Sequence, residues 1–367
     1  MSVSVGGLEL YLGPKLLGAP DDLDAVIREF IDGASHTLHI AVQELDSRSI
    51  ASAIVDARAR GVRVRLILEG DYLVEEEPTP DPWETTGAYE DNRVIHAALL
   101  RAGIDVVTDL NPDIFHQKFA VRDVGKSSAA LLTGSANFTR TDTGTNPIVT
   151  GIDAGNNLNH IVVLHGQSAS KQYVAEFERM RAGTFGPLHE RHEPQPREFR
   201  LGGMRIKPLF APRHGPEMEI MKQMLKARER VDFAMYTFAQ SSGIDDTMIR
   251  LVDPGFAIRG VLDRGQGAMT WAATQPLKDA GVELFANRSG TDVRKVHHKL
   301  MVLDRRVTIV GSFNYTAPAT TLNDENIIVL GDLGEPTTGA AETAQRHIAA
   351  HALAEIDRIV ADLSQPL

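Results

Sequence analysis

The sequence predicts an α/β protein of two similar lobes, each a mixed sheet flanked by helices. At 367 residues the chain exceeds the size at which one hydrophobic core usually stops growing. Helical and extended periodicities alternate along it, and the same order of elements occurs twice. Both copies also carry the same polar set at the same point of that order.

In the first copy, Asp21 to Ala34 reads as an amphipathic helix and HTLHIAVQ as a strand. Ser49 to Arg60 is the next helix, ended by Gly61, and VRVRLILEG the next strand. An acidic insertion follows over about 69–93, where Glu75, Glu76, Glu77, Asp81, Glu84 and Glu90 lie among Pro78, Pro80 and Pro82. It reads first as a solvated loop and second as a lid or guard that repels misplaced polyanions. Helix Val94 to Ala102, the strands IDVVTDL, FHQKFAVRD, AALLTGSAN and NHIVVLHG, and a helix from Ser168 to about Met180 complete a unit taken as 1–185.

Residues 186–203 hold Pro187, Pro194 and Pro196 without an apolar period and read as an interdomain connection. The second unit, 204–367, begins with a helix over Met218 to Arg230, whose Met218, Met221 and Met224 are assigned to the core. Strand VDFAMYTF, a helix around Asp245 to Leu251, strand FAIRGVLD, a short helix over Leu277 to Ala280 and strand VELF follow. HHKLMVLD, VTIVGSFN and ENIIVLGD then lead to a final helix from about Ala341 to Leu363.

The absence of cysteine excludes disulfides, thiolate metal sites and cysteine nucleophiles. With 38 Lys and Arg against 49 Asp and Glu, the net charge of -11 argues against a broadly basic nucleic-acid coat, though a local positive cleft remains possible. No run approaches 18 apolar residues and no basic-flanked leader opens the chain, so stable membrane insertion is not expected and a cytoplasmic protein is. Neither a GxGxxG nor a Walker-type loop occurs, nor HExxH, so no cofactor and no metal are expected.

The polar set is the informative part. His116-Gln117-Lys118 with Asp123 is followed after ten residues by Gly134-Ser135-Ala136-Asn137. His297-His298-Lys299 with Asp304 is followed after six by Gly311-Ser312-Phe313-Asn314. One H-x-K-x4-D set is expected by chance about once in ten thousand positions, so two at equivalent places are not accidental. Period two puts His116 and Lys118 on one strand face, and likewise His297 and Lys299, while His298 faces the other way as a structural residue. Imidazole can attack phosphorus or shuttle a proton, and lysine neutralises non-bridging oxygens as their charge grows. The odd offset of Asp123 and Asp304 turns them away from the histidine face, toward holding charge and backbone. Asn137 and Asn314 are preferred to Ser135 and Ser312 as phosphate contacts.

These paired motifs resemble those of the phospholipase D superfamily, over nearly the whole chain from His36 to Leu330. The resemblance implies two lobes packed with pseudo-twofold symmetry around one metal-independent site, complete in a monomer. One histidine would become phosphorylated while the other protonates the leaving oxygen. In the family a glutamate after the second G-S-x-N orients a histidine, and Glu325 matches it. The corresponding first-lobe segment, NNLNHIVVL, has His160 where an acid is expected, either an alternative orienter or a satisfied strand histidine. Because the family's glutamate acts across the interface, His116 is expected to be the nucleophile.

For substrate, the compact chain without an anchor favours a nuclease on DNA or RNA. A phospholipase D or cardiolipin-hydrolase-like enzyme on phospholipids is the alternative, and a non-catalytic nucleic-acid or protein-binding module is the third. Trp83 and Trp271 are candidates for rimming the cleft, against simple packing.

Overall fold

The computed structural model describes residues 2–74, 81–147, 155–188 and 194–367. Glu75, Glu76, Glu77, Pro78 and Pro80 of the predicted insertion, and residues 189–193 of the predicted connection, lie outside the described residues.

Each lobe is built on a nine-stranded mixed sheet, and the two sheets share one strand order. The first runs Val3–Val5, Leu8–Gly13, Asn156–His165, Ala130–Gly134, Lys118–Arg122, Thr37–Val42, Arg63–Leu68, Asp105–Thr108, with Val293–Val296 of the second lobe as the ninth strand, paired off this path to Asn156–His165. The second runs Phe199–Leu201, Met204–Ala211, Glu325–Leu330, Val307–Gly311, Lys299–Leu303, Arg230–Met235, Ala257–Leu262, Glu283–Asn287, with Ser364–Pro366 added at the edge. In each, three strands pair in parallel and need helical crossovers, whereas the motif strands form antiparallel hairpins. Helix Leu23–Asp32, which leads into Thr37–Val42, and the crossover helix Arg48–Ala59 are capped by Asp22 and Ser47, whose side chains accept from Ala25 and Ile50 N–H.

The inner faces of both sheets contribute to one core between the lobes. Alternation explains which side chains go there: Leu8, Leu10 and Leu12 point into it, while Tyr11 packs on the outer helices. Helices Gln167–Arg181 and Ala340–Arg358 fill the space between the sheets with Tyr173, Phe177, Ile348, Ala352 and Ile356. The Tyr173 ring lies 5.1 Å from Phe119 of its own lobe and 4.8 Å from Phe210 of the other. Truncating an aromatic ring so enclosed costs about 3–5 kcal/mol, so this contact ties the lobes into a single body.

Several elements differ from expectation. Val3–Val5 with Leu8–Gly13, and Phe199–Leu201 with Met204–Ala211, are hairpins that the sequence reading passed over. Each turns on a Gly-Gly pair with positive φ, Gly6-Gly7 and Gly202-Gly203, the geometry of a two-residue hairpin. The two turns touch, since a Cβ on Gly6 would lie 2.2 Å from the Gly202 Cα. The connection predicted over 186–203 therefore ends in a strand. Met224 is buried, but Met218 is 70% exposed, because a strict three-residue spacing drifts by roughly 60° per step around an α-helix. The last α-helix stops at Arg358, a π-helical turn follows over Ile359–Leu363, and the edge strand comes after it.

Candidate active site

Backbone pairing carries each motif histidine into the opposite lobe. Asp324 N–H donates to the Ile114 carbonyl and His116 N–H to the Asp324 carbonyl, at 3.1 and 3.0 Å. Reciprocally, Val293–Val296 runs parallel to the start of Asn156–His165, with Lys295 opposite Asn157 and Val296 opposite Leu158. His116 is thereby set beside Glu325, and His297 beside Asn159.

His116 Nδ1 is 2.7 Å from Glu325 Oε2, which also accepts from Ser312 Oγ at 2.7 Å. His297 Nδ1 is 2.9 Å from Asn159 Oδ1, which accepts from Ser135 Oγ at 2.8 Å. Asn159 Nδ2 faces the Asp142 and Asn157 carbonyls, so its oxygen is the atom turned to the imidazole. Both rings therefore carry their proton on Nδ1 when neutral, leaving the Nε2 lone pair free. A carboxylate backs His116; a neutral amide backs His297, with Asp142 Oδ2 at 3.7 Å.

This corrects the expectation for His160. Gly134 pairs with Ile161 and Gly311 with Ile327, so Asn159, not His160, occupies the place of Glu325. The one-residue slip moved the reading to the other strand face. His160 instead matches Asn326: both N–H groups donate to the motif serines, Ser135 and Ser312. Its ring accepts from Gly311 N–H at Nε2 and meets His298 Nδ1 at 3.2 Å, deep in the lobe interface. The twofold-related contact is Asn326 Nδ2 donating to Gln117 Oε1 at 2.8 Å.

Lys118 Nζ donates to Gln43 Oε1 and the His116 carbonyl, both at 3.0 Å, and Lys299 Nζ donates to the His297 carbonyl at 2.9 Å. Burial lowers Lys118 to about 8, against the pull of Glu325 and other carboxylates. Burial and then the neighbouring Lys118 hold Lys299 well below the usual lysine value. Burial, followed by Lys118 and Lys299, keeps His116 far below an ordinary histidine, and burial with Lys299 and Lys295 does the same to His297. Burial also pushes Glu325 up to about 8, opposed by Lys118 and the Ser312 hydrogen bond. The site thus favours two neutral imidazoles.

Asp123 and Asp304 lie away from this cluster, both at left-handed φ, 55° and 50°. Asp123 accepts from the N–H groups of Ser35, His36 and Thr37 and the hydroxyls of Ser35 and Ser128. Burial opposes its charge, but these bonds hold its carboxyl at about 2. Asp304 accepts from Arg228, Glu229 and Arg230 N–H.

His116, Asn137, His297 and Asn314 line one cavity of about 710 Å³ between the lobes, all from one chain. Ser135 and Ser312 do not line it. Trp271 does, whereas Trp83 is 92% exposed and lies outside the lining. Sequence reasoning missed Asn159, Asp142, Glu44, Asp46, Tyr236 and Lys295. Only Lys295 had a plain signal: period two places it on the face of His297 and Lys299, and its ammonium lies 5.2 Å from the centre of the Tyr236 ring. Among the described residues no three His, Asp or Glu converge as metal ligands, and no helix is long and apolar enough to cross a membrane.

Residues 27–181 and 220–348 match the family described as cardiolipin synthase, PLD-like domain. The chain belongs to the phospholipase D superfamily. This phospholipase D-like chain is 30% identical over 106 residues to a mitochondrial cardiolipin hydrolase of Chlamydomonas reinhardtii, covering 29% of the chain and 46% of the relative. It is 28% identical over 136 residues to a phospholipase D of Rickettsia conorii, covering 36% and 64% respectively. It thus spans about half to two thirds of the length of these curated relatives. Its fold superposes on the phosphatidylserine synthase of Haemophilus influenzae with a TM-score of 0.68 at 11% identity, covering 100% of this chain and 88% of that one. The names attached to these relatives refer to phospholipids, so the expected preference for a nuclease finds no support among them.

Proposed function

We propose that the protein cleaves or exchanges the head-group phosphodiester of a phospholipid through a phosphohistidine formed on His116. The observation that carries this reading is the convergence of two oppositely wired imidazoles on one cavity, each with a buried lysine bonded to its own backbone carbonyl. His116 Nε2 attacks phosphorus while the bond to the head-group oxygen breaks, and His297 Nε2 gives that oxygen a proton. Glu325 offsets the positive charge on the substituted His116 ring. Water or an alcohol then attacks phosphorus, its proton passes to His297, and the P–N bond breaks, restoring both imidazoles to their starting forms. His297 must enter this sequence protonated. The anionic phosphodiester provides for that by offsetting Lys299 and Lys295, which add to burial in depressing its pKa. Lys118 and Lys299, with Asn137 and Asn314, stabilise the non-bridging oxygens.

A phospholipid suits the cavity better than a polynucleotide. Glu44, Asp46 and Asp142 line it, and this acidic wall offers no positive track to the further phosphates of a nucleic-acid strand. The names of the relatives point the same way. The test is an assay in chelator with phospholipid vesicles, single-stranded DNA, duplex DNA and RNA, using His116→Ala and His297→Ala as controls. Head-group release from vesicles, lost in His116→Ala, is expected. Cleavage of nucleic acid with no action on vesicles would overturn the reading.

A further inference from the structure

The two halves of the cavity are related by the fold yet opposite in chemistry. Phe138 N–H donates to the Glu44 carbonyl as Tyr315 N–H does to that of Thr237, so Glu44 corresponds to Thr237 and Asp46 to Ala239. Thr139 caps the N–H of Asp142 as Thr316 caps that of Ala319. At all three places the first lobe has a carboxylate and the second a neutral residue. The reverse holds beside the motif histidines, where Ile114 corresponds to Lys295.

The carboxylates raise one another: burial, then Asp46 and Asp142, push Glu44 up to about 8, with Lys295 acting against them. Two aromatic rings adjoin the acids. Tyr72 and Tyr89 both line the cavity and meet edge to face at 4.8 Å. Tyr89 holds φ at 58°, a left-handed conformation unfavourable for a residue with a Cβ. A second observation points to an absent donor. Asn157, over nine-tenths buried, lines the cavity and gives its Nδ2 to Asp142 Oδ1 at 2.5 Å, which fixes its orientation. Its Oδ1 then has no hydrogen-bond partner among the described residues. Acids, tyrosine faces and an unused acceptor together match an ammonium group. A metal ion fits less well, since among the described residues no three ligands converge.

We infer that the first-lobe half of the cavity, built around Glu44, Asp46, Tyr72 and Asn157, is a subsite for an ammonium-bearing alcohol esterified to, or about to attack, the phosphorus. This rests on the phosphodiester reading above and specifies its head group. The ammonium arrives on the leaving alcohol in hydrolysis or on the accepting alcohol in exchange.

The experiment separates the subsite from the chemistry. First, the whole protein is titrated calorimetrically with ethanolamine and, separately, with glycerol. Saturable binding of ethanolamine, weakened about tenfold in Glu44→Gln and Asp46→Asn, with none for glycerol, is expected. Second, turnover is compared on phosphatidylethanolamine and phosphatidylglycerol vesicles, and transfer from phosphatidylglycerol to ethanolamine is compared with transfer to glycerol. Preference for ethanolamine as leaving group or as acceptor tells the two sources apart, and either preference should fall about tenfold in the same variants. Ethanolamine that fails to bind, or preferences the substitutions leave unchanged, overturns the subsite. Binding of ethanolamine without turnover on any phospholipid would uphold the subsite and overturn the phospholipid reading.

Discussion

The two lobes share a strand order, a motif and a serine that braces the residue behind each histidine, yet they wire those histidines differently. His116 rests on Glu325 of the second lobe, and His297 on Asn159 of the first. Duplication kept the frame, which depends on backbone pairing, and left the electrostatics free to diverge. A carboxylate stabilises positive charge on the imidazole it touches, as a covalent intermediate requires. An amide fixes the tautomer without holding the proton, as an acid that must give it up requires.

The largest effect that would break this comparison comes from the histidines themselves. With a nitrophenyl phosphodiester, whose leaving group needs no proton, His116→Ala should lose at least about a thousandfold in kcat while His297→Ala retains formation of the covalent intermediate. Equal losses in that step, measured by the nitrophenolate burst, would mean that the lobes are not specialised. Next, Glu325→Gln should lower kcat by roughly a hundredfold and Asn159→Ala by about tenfold, as read from steady-state kinetics on one substrate. The reverse ranking would assign the nucleophile to the other lobe.

Asn159→Asp sharpens the comparison through pH. The free His297 pKa is depressed by burial and lysines, so its protonated fraction, and with it kcat/KM, falls as pH rises. A carboxylate at 159 favours the imidazolium and should move that falling limb up by about one to two units. A kcat/KM profile that does not move would remove His297 as the acid.

The smallest expected effect lies in the frame. Asp123 has a folded pKa of about 2 against 3.8, so its contribution is present above pH 4 and is lost as pH falls toward 2. Asp123→Asn should cost on the order of 1–2 kcal/mol at neutral pH, and more than Asp304→Asn, which breaks fewer hydrogen bonds. Denaturant unfolding of both variants measures the difference.

Much of this was legible because it is local. Period two placed each histidine beside its lysine, and the repeated order predicted two α/β lobes. What stayed hidden depends on register or on contacts between lobes. Taking the titratable residue of NNLNHIVVL as the counterpart of the acid in NDENIIV set His160 against Glu325, and only the pairing of Gly134 with Ile161 moves the match to Asn159. Glu44 and Asp46 sit just beyond a strand end, where nothing in the chain announces a cavity. The Gly6-Gly7 and Gly202-Gly203 hairpins were readable from their flanking alternation, and their contact across the lobes was not.

The central claim is tested most directly by trapping the intermediate. The protein is mixed with a phospholipid carrying labelled phosphorus, quenched in alkali, where phosphohistidine survives, and mapped by proteolysis. Label on the peptide containing His116, absent from Glu325→Gln at the same early time, is the expected result. Label on the peptide containing His297, or turnover that never labels the protein, would contradict the account.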